Sequence, residues 1–175
     1  MSKEVSPRSI ALTAITIALV AVVTRFLIFP IGQGYFNFSD TAIYFVAFTF
    51  GPWIGFLAGG IGAALADLSA GYAAFAPLTF LAHGLQGLVA GWVARRGPGT
   101  PMQRMAVAWL GGTLTMAGIY FLGEYFGARL GWGGPAQAAA ELPFNLLQNV
   151  AGGLVAVPLS LLVRRAYPPL ARYTE

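Results

Sequence analysis

Polar side chains recur at helical spacing in the last long apolar segment of the chain. They stand at relative positions 0, +4, +7, +8 and +11, which are occupied by Glu141, Asn145, Gln148, Asn149 and Gly152. In a helix these positions share one side, so the residues form a single stripe. Amide and carboxyl groups in such a stripe can hydrogen-bond the edge of a polar solute, or they can link neighbouring helices. We favour a solute site because polar groups inside an apolar bundle tend to be functional.

Similar groups stand in other apolar segments and in the connections between them. His83 and Gln86 are three residues apart, which places them on one side of a helix. Tyr120 and Glu124 lie near the end of another apolar segment. The predicted solute-binding residues are Asn37, Tyr72, His83, Gln86, Tyr120, Glu124, Glu141, Asn145, Gln148 and Asn149. Aromatic side chains that could stack on a flat ring are Phe36, Tyr72, Phe75, Tyr120 and Trp132.

Some of these residues also have a simpler structural interpretation. A single His83 inside a bundle is often a hydrogen-bonded contact between helices. Glu141 is equally suited to the start of a helix, where the helix dipole favours an acid. Ser39 or Asp40 can cap the helix that follows. We therefore interpret Asp40 and Asp67 as capping and loop-anchoring residues rather than as ligands.

Residue counts exclude several kinds of catalytic and cofactor chemistry. The chain has no cysteine and one histidine, so no disulfide or zinc–thiolate site can form, and its scattered carboxylates lack zinc-ligand spacing. Its one lysine is Lys3, so no phosphate loop of the G-x-x-x-x-G-K-[ST] type exists. We predict no cofactor, no metal site and no enzyme activity of its own.

The composition predicts an integral membrane protein. Of the 175 residues, 57% are hydrophobic and 9% are charged, whereas soluble domains contain about 25% charged residues. At roughly 20 residues for each crossing, the chain suits one all-α transmembrane domain, residues 1–175, built as a six-helix bundle. The predicted helices span 10–29, 39–50, 53–68, 77–94, 103–126 and 141–165, with a loop over 30–37. A signal peptide is the alternative for the first segment, but no small-x-small cleavage site follows it.

The basic residues predict how the bundle is oriented. With six crossings, the side that carries both termini holds Lys3, Arg8, Arg95, Arg96, Arg104, Arg164, Arg165 and Arg172. The other side holds Arg25 and Arg129. Because basic loops stay in the cytoplasm, we predict cytoplasmic termini and a bacterial inner or plasma membrane location. The net charge of +4 is then a topology signal and not a nucleic-acid signal.

This orientation gathers the polar residues at the outer ends of the helices. The inner halves of the same helices are almost wholly apolar. A continuous channel would need polar groups along its whole length, whereas a bound solute needs only an outward-facing polar cup with an apolar floor. We therefore predict a binding site rather than a channel.

Small residues recur at close-packing intervals on two helices. Gly55, Gly59 and Gly62 make one smooth side of the third helix, against which another helix can pack very closely. On the first helix, Ala14 and Ala18 form a small-xxx-small pair. The spacing alone favours packing of these alanines inside the bundle over docking onto another membrane protein.

Four stretches of the chain resemble a known family. They are Gly34-Tyr35-Phe36-Asn37-Phe38-Ser39-Asp40, Phe50-Gly51-Pro52, the run from Ala58 to Asp67, and Gly71-Tyr72. They are similar to the signature of the substrate-binding S components of energy-coupling factor (ECF) transporters. The resemblance covers essentially the whole chain and is closest to the S components for hydroxymethylpyrimidine, vitamin B6 or riboflavin.

The resemblance implies a function and a set of partners. S components capture a small water-soluble vitamin or precursor, such as hydroxymethylpyrimidine, pyridoxine or riboflavin, with high affinity. They pair with a transmembrane T component and two cytoplasmic ATPases, whose ATP hydrolysis makes the S component topple and release its cargo inside. Ala14 and Ala18 match the family motif that contacts the T component, so docking becomes the favoured interpretation. Ligand residues vary between vitamins and are not transferred.

Two other functions compete with this interpretation. The first is a membrane enzyme that acts on a lipid or isoprenoid head group, with His83 and either Glu124 or Glu141 as an acid/base pair; no catalytic motif supports it. The second is a purely structural membrane subunit, which would not need polar residues that are costly to keep in lipid.

Overall fold

The computed structural model describes residues 6–31 and 34–169, which form six α-helices and a short hairpin. In chain order these are α1 (Pro7–Phe26), β1 (Ile28–Ile31), β2 (Gly34–Asn37), α2 (Ser39–Phe50), α3 (Pro52–Ala70), α4 (Ala76–Arg96), α5 (Pro101–Phe126) and α6 (Pro135–Ala166). Every helix except α2 has proline in its first turn. Proline suits that position because its fixed φ is helical and its missing N–H has no partner there anyway.

The described part of the connection predicted over residues 30–37 belongs to an antiparallel hairpin; residues 32–33 lie outside the described residues. α1 ends at Phe26, three residues earlier than predicted, and β1 pairs with β2 in a register that sets Phe29 opposite Phe36. β-branched and aromatic residues favour such strands. The predicted helix included Leu27–Phe29 because these residues are apolar, and an apolar run alone does not separate helix from strand. The hairpin delivers Asn37 to the start of α2.

Four of the helices are long and apolar enough to cross a membrane: α1, α3, α5 and α6. α2 has 12 residues, a length of about 18 Å, against a hydrocarbon core of about 30 Å. Most of its residues are buried, since it packs against α1, α3, α4 and α6. α2 is therefore the shielded central helix of the bundle, and its polar side chains meet protein rather than lipid.

The last helix is longer than its apolar segment. α6 begins at Pro135 instead of residue 141 and continues through Pro143 and Pro158 to Ala166. Its first turns are rich in alanine, which has the highest helix propensity but little hydropathy. Glu141 consequently lies inside the helix and is not its first residue, so the helix-start interpretation is wrong.

Glycine allows α3 to pack directly against the backbone of its neighbours, as the spacing predicted. A Cβ atom added to Gly59 would lie 2.5 Å from the carbonyl oxygen of His83 on α4, and one added to Gly62 would lie 2.8 Å from the carbonyl oxygen of Ile17 on α1. Gly87 of α4 in turn meets the backbone of Gly55. These contacts set the position of His83 relative to the rest of the bundle.

The two ends of the bundle differ in chemistry. One end, called the arginine end here, carries Arg95, Arg96, Arg104, Arg164 and Arg165. There Arg95 donates to the carbonyl oxygen of Phe50 at 3.1 Å, and Arg164 donates to that of Phe48. These are last-turn carbonyls of α2, which have no partner within the helix. The opposite end, where α3 and α5 end and α4 and α6 begin, is called the cavity end.

Candidate functional site

A cavity of about 450 Å³ opens at the cavity end. Its volume lies within the range of roughly 300–1,000 Å³ that is typical of small-molecule sites. Its walls come from α1, the end of β2, α3, α4, α5, α6 and the connection after α3. The lining residues are Thr24, Asn37, Asp67, Tyr72, Phe75, Thr79, His83, Met116, Tyr120, Gln137, Ala140, Glu141, Phe144, Asn145 and Gln148.

The structure brings seven of the ten predicted residues to the cavity wall: Asn37, Tyr72, His83, Tyr120, Glu141, Asn145 and Gln148. The other three, Gln86, Glu124 and Asn149, are fully buried behind the wall. Among the predicted aromatic residues, Tyr72, Phe75 and Tyr120 line the cavity. Phe36 and Trp132 do not, and the indole of Trp132 instead donates to the carbonyl oxygen of Ala74 at 2.6 Å.

Asp40 is the centre of a buried hydrogen-bond network and not a helix cap. Its Oδ1 accepts from Nε2 of Gln86 at 2.6 Å, and its Oδ2 accepts from Nε2 of Gln148 at 2.8 Å. The capping position of α2 is Phe38, which has no capping side chain, while the Ser39 N–H donates to the side chain of Asn37 at 2.8 Å. The predicted capping roles of Ser39 and Asp40 are therefore wrong, because the carboxylate of Asp40 turns inward to meet two amides.

Asn149 joins three helices in the same network. Its Oδ1 accepts from the hydroxyl of Tyr44 at 2.7 Å and from Nε2 of Gln86 at 2.9 Å. Its Nδ2 donates to the carbonyl oxygen of Asn145 at 3.0 Å and contacts the sulfur of Met116. Every polar atom of this amide has a protein partner, so its hydrogen bonds hold α6 against α2 and α4.

Gln148 lines the cavity, but its amide is also occupied. Nε2 donates to Asp40 and to the hydroxyl of Ser39 at 3.3 Å, and Oε1 accepts from the backbone N–H of Asn37 at 3.2 Å. Gln148 therefore ties α6 to the end of the hairpin. Asn145, one turn earlier, differs: its side-chain amide makes no hydrogen bond to the described residues, which leaves its donor and acceptor for a solute.

His83 reaches the cavity from α4. Its Nδ1 lies 2.8 Å from Oε1 of Gln86 and 3.7 Å from Oδ1 of Asp40. The ring meets that of Tyr120 edge to face, with 5.6 Å between centroids. No hydrogen bond to Nε2 comes from the described residues, so this nitrogen remains for a cavity occupant.

A second chain of hydrogen bonds crosses the cavity wall from α3 to α5. Thr79 donates to Oδ2 of Asp67 at 2.5 Å, and the hydroxyl of Tyr120 donates to Thr79 at 2.9 Å. Asp67 thus anchors the end of α3, as predicted, and it also lines the cavity. Sequence reasoning missed Thr79, although it stands one helical turn before His83 on the same side of α4 and could have been included on that ground.

The electrostatic character of the wall is acidic. Asp67 and Glu141 line it, Gln137 donates to Glu141 at 2.7 Å, and Glu124 is buried beside Glu141. None of the lining residues is lysine or arginine. Phosphate and carboxylate groups are usually held by such cations, so the described wall suits a neutral or cationic solute with hydrogen-bonding edges.

The small residues of α1 face outward. Ala14 and Ala18 are exposed, together with Ile15 and Leu19, whereas the side that packs on the bundle is formed by residues such as Val20. Packing inside the bundle, the alternative for these alanines, is therefore wrong. The exposed small residues leave a flat strip along a helix that passes one wall of the cavity.

Comparisons with known proteins found a matching family and two similar relatives. Residues 4–165 match the sequence model of the family described as "ECF-type riboflavin transporter, S component". The "Thiamine precursor transporter HmpT" of Lactococcus lactis subsp. cremoris (strain MG1363) is 32% identical over 164 residues, which cover 90% of this chain and 89% of the relative. A Pyrococcus woesei protein described as "Uncharacterized protein in gap 3'region" is 33% identical over 141 residues, 81% of this chain and 90% of the relative.

A solved structure shares the fold. The protein of "Structure and mechanism of the S component of a bacterial ECF transporter" superposes with a TM-score of 0.67, covering 91% of this chain and 98% of that one, at 23% sequence identity. At this identity the likeness establishes the overall fold and leaves the cavity residues to be interpreted from their own contacts.

Proposed function

The chain belongs to the S-component family of ECF transporters, the substrate-binding membrane subunits of these systems, and from this premise we propose that its cavity binds a small water-soluble vitamin or vitamin precursor. Members of this family are transport subunits and not enzymes, so the lipid-enzyme alternative is not retained. The candidate solutes are hydroxymethylpyrimidine, pyridoxine and riboflavin.

The observation that carries the proposal is the composition of the cavity wall. It combines the side-chain amide of Asn145 and Nε2 of His83, which make no hydrogen bond to the described residues, with the aromatic rings of Tyr72, Phe75 and Tyr120. Rings hold a flat heterocycle through apolar contact, and the polar groups select its edge. The absence of lysine and arginine from the described wall favours unphosphorylated solutes over their phosphate esters.

We assign the binding residues from their contacts. Asn145, His83, Tyr72, Tyr120 and Glu141 would touch the solute, because they line the cavity. Gln148 and Asn37 also line the cavity, but the side-chain amide of Gln148 is occupied by Asp40 and by the backbone N–H of Asn37. With the buried Gln86 and Asn149, they would fix the positions of α4, α6 and the hairpin through the network around Asp40. Glu124, which is fully buried behind the wall, would not touch the solute.

The membrane arrangement that fits this function has six crossings in a single domain, with the arginine end in the cytoplasm. The basic residues at that end follow the positive-inside rule, and the cavity then opens outward, where the solute is captured. Lys3 and Arg172, which belong to the predicted cytoplasmic set, lie outside the described residues.

Uptake requires energy that this chain does not supply. The partners are a transmembrane T component and two ATPase subunits, and the exposed strip at Ala14 and Ala18 would provide the contact with the T component. Close approach of helix backbones is the main source of association in lipid, and small residues permit it.

The experiment is mass spectrometry of the small molecules that the purified protein releases on denaturation. We expect one vitamin or precursor in near-stoichiometric amount. The same compound, added back to the emptied protein, should raise its melting temperature because it binds the folded state only. Release of no compound, together with no change in melting temperature with any of the three candidates, would contradict the proposal.

A further inference from the structure

Two backbone groups fix the orientation of the three side-chain amides in the network around Asp40. The backbone N–H of Asn37 can only donate, so the atom of Gln148 that faces it is Oε1, and Nε2 of Gln148 must point at Asp40. The backbone carbonyl of Asn145 can only accept, so it meets Nδ2 of Asn149. This places Oδ1 of Asn149 toward Gln86.

The amide of Gln86 is oriented by two acceptors. Oδ1 of Asn149 and Oδ1 of Asp40 both lie within hydrogen-bond distance of its Nε2, at 2.9 and 2.6 Å. The reversed amide would set Oε1 against two oxygen acceptors. Oε1 of Gln86 therefore faces His83, where it can only accept a hydrogen bond.

We infer that the neutral ring of His83 carries its proton on Nδ1 and presents the lone pair of Nε2 to the cavity, so that a bound solute meets it with an N–H or O–H donor. The tautomer of a histidine is set by the hydrogen bond that its other nitrogen makes. Here Nδ1 donates to Gln86, and Nε2 has no hydrogen bond from the described residues. Asp40 acts at a distance: it is a positioning residue that turns Gln86 and thereby selects the tautomer.

This tautomer of His83 limits the chemical groups that a solute can place against it. An acceptor at His83 rejects a solute edge that offers only ring nitrogen or carbonyl acceptors, because two facing acceptors would be left unpaired. It selects hydroxyl, amino or ring N–H groups at that point. The statement about the solute rests on the proposed function, whereas the statement about the tautomer does not.

The tautomer can be measured directly because the chain has one histidine. The protein is labelled with nitrogen-15 at histidine, solubilised in detergent and studied by NMR at a pH where the ring is neutral. The spectrum then contains two ring-nitrogen resonances, and their couplings to the ring protons assign them to Nδ1 and Nε2. We expect a protonated, pyrrole-type Nδ1 and an unprotonated, pyridine-type Nε2. The reversed pattern, or fast averaging between both forms, would overturn the inference.

Variants test whether the network sets this state. Gln86→Met keeps the length of the side chain and removes the acceptor, so we expect the proton of His83 to distribute over both nitrogens. Thr113→Val is the control, since it removes a buried hydroxyl that bonds to Tyr44 and to the carbonyl oxygen of Trp109 but not to Gln86 or His83. An unchanged spectrum in Gln86→Met would show that Gln86 does not select the tautomer; if this variant does not fold, the wild-type spectrum still decides.

Solute titration tests the second part. Pyridoxine, hydroxymethylpyrimidine and riboflavin all carry donors, and the one that binds should shift Nε2 away from the pyridine-type position while Nδ1 stays in place. A bound compound that leaves Nε2 unmoved contradicts the solute contact. If none of the three binds, the proposed function fails with the solute contact, while the solute-free spectrum decides the tautomer separately.

Discussion

Asn145 and Asn149 are the same residue type one turn apart on α6, but their surroundings differ. Asn149 is fully buried and saturated by Tyr44, Gln86 and the backbone of Asn145. The amide of Asn145 lines the cavity without a hydrogen bond to the described residues. The amide of Asn149 is therefore assigned to the packing of the bundle, and the amide of Asn145 is assigned to the solute.

Alanine at each position should separate these two roles. Asn145→Ala should leave thermal stability nearly unchanged and weaken solute binding by about 1–3 kcal/mol, or roughly 5- to 150-fold in affinity. Asn149→Ala should mainly destabilise the fold, by about 1–3 kcal/mol for each buried partner left unsatisfied. Isothermal titration and melting curves of the two variants in detergent provide the comparison. Equal losses of affinity and stability in both variants would contradict the assignment.

The sequence predicts the polar stripe on α6, but it does not predict which of its residues bind the solute and which pack against other helices. Helical spacing is local, so positions 141 to 152 share one side whatever surrounds them. Whether an amide is saturated depends on partners that are distant in the chain, such as Asp40, which lies 108 residues from Gln148. For the same reason Asp40 was predicted to be a cap, since its local sequence contains no sign of two approaching amides.

At the scale of helices, packing is governed by glycine and by burial. The intervals of Gly55, Gly59 and Gly62 predicted the close contact of α3, because small residues have the same effect wherever the partner comes from. The hairpin and the true start of α6 were not predicted. Strands of four residues give too short a pattern, and the alanines after Pro135 are strong helix formers without being strongly apolar.

The close contact between α3 and α4 should not tolerate the addition of one methyl group. In Gly59→Ala the added Cβ would lie 2.5 Å from the carbonyl oxygen of His83, a backbone atom that cannot turn away. We expect a loss of about 1–3 kcal/mol in the free energy of unfolding, as for other overpacked cores.

The matched control is Gly118→Ala on α5. A Cβ at Gly118 has no atom within 4 Å, so the variant should be as stable as the wild type or more stable by about 0.5–1 kcal/mol, because alanine is the better helix former. Melting curves in one detergent compare the two. A Gly59→Ala protein that melts with the wild type would mean that the α3–α4 contact is loose.

At the scale of the whole molecule, two separate regions are assigned two roles. The exposed face of α1 is assigned to partner docking, and the cavity is assigned to solute binding. The exposed strip on α1 carries no polar group that could bind a solute, and α1 contributes Thr24 to the cavity wall rather than this strip. Composition predicted the membrane class and the charge pattern predicted the orientation, because both depend only on residue types. The orientation and the six crossings stay predictions.

Ala18→Trp should block transport without affecting capture. The indole would hold the partner helix away from the strip at Ala14 and Ala18, so uptake into cells that contain the T component and ATPases should be lost while solute affinity is kept. Leu114→Trp places the same ring on an exposed position of α5 and should transport normally. Loss of solute binding in Ala18→Trp would show that this face supports the fold instead.

The solute should bind in the cavity at the cavity end of the bundle. Ala140 lines it, and the adjacent Ala139 is exposed on the same helix without lining it. Isothermal titration of the solute identified by mass spectrometry should therefore show that Ala140→Trp, which fills the cavity with a ring, abolishes measurable binding. Ala139→Trp should bind like the wild type. If Ala140→Trp binds with wild-type affinity while remaining folded, the solute binds elsewhere and not in this cavity.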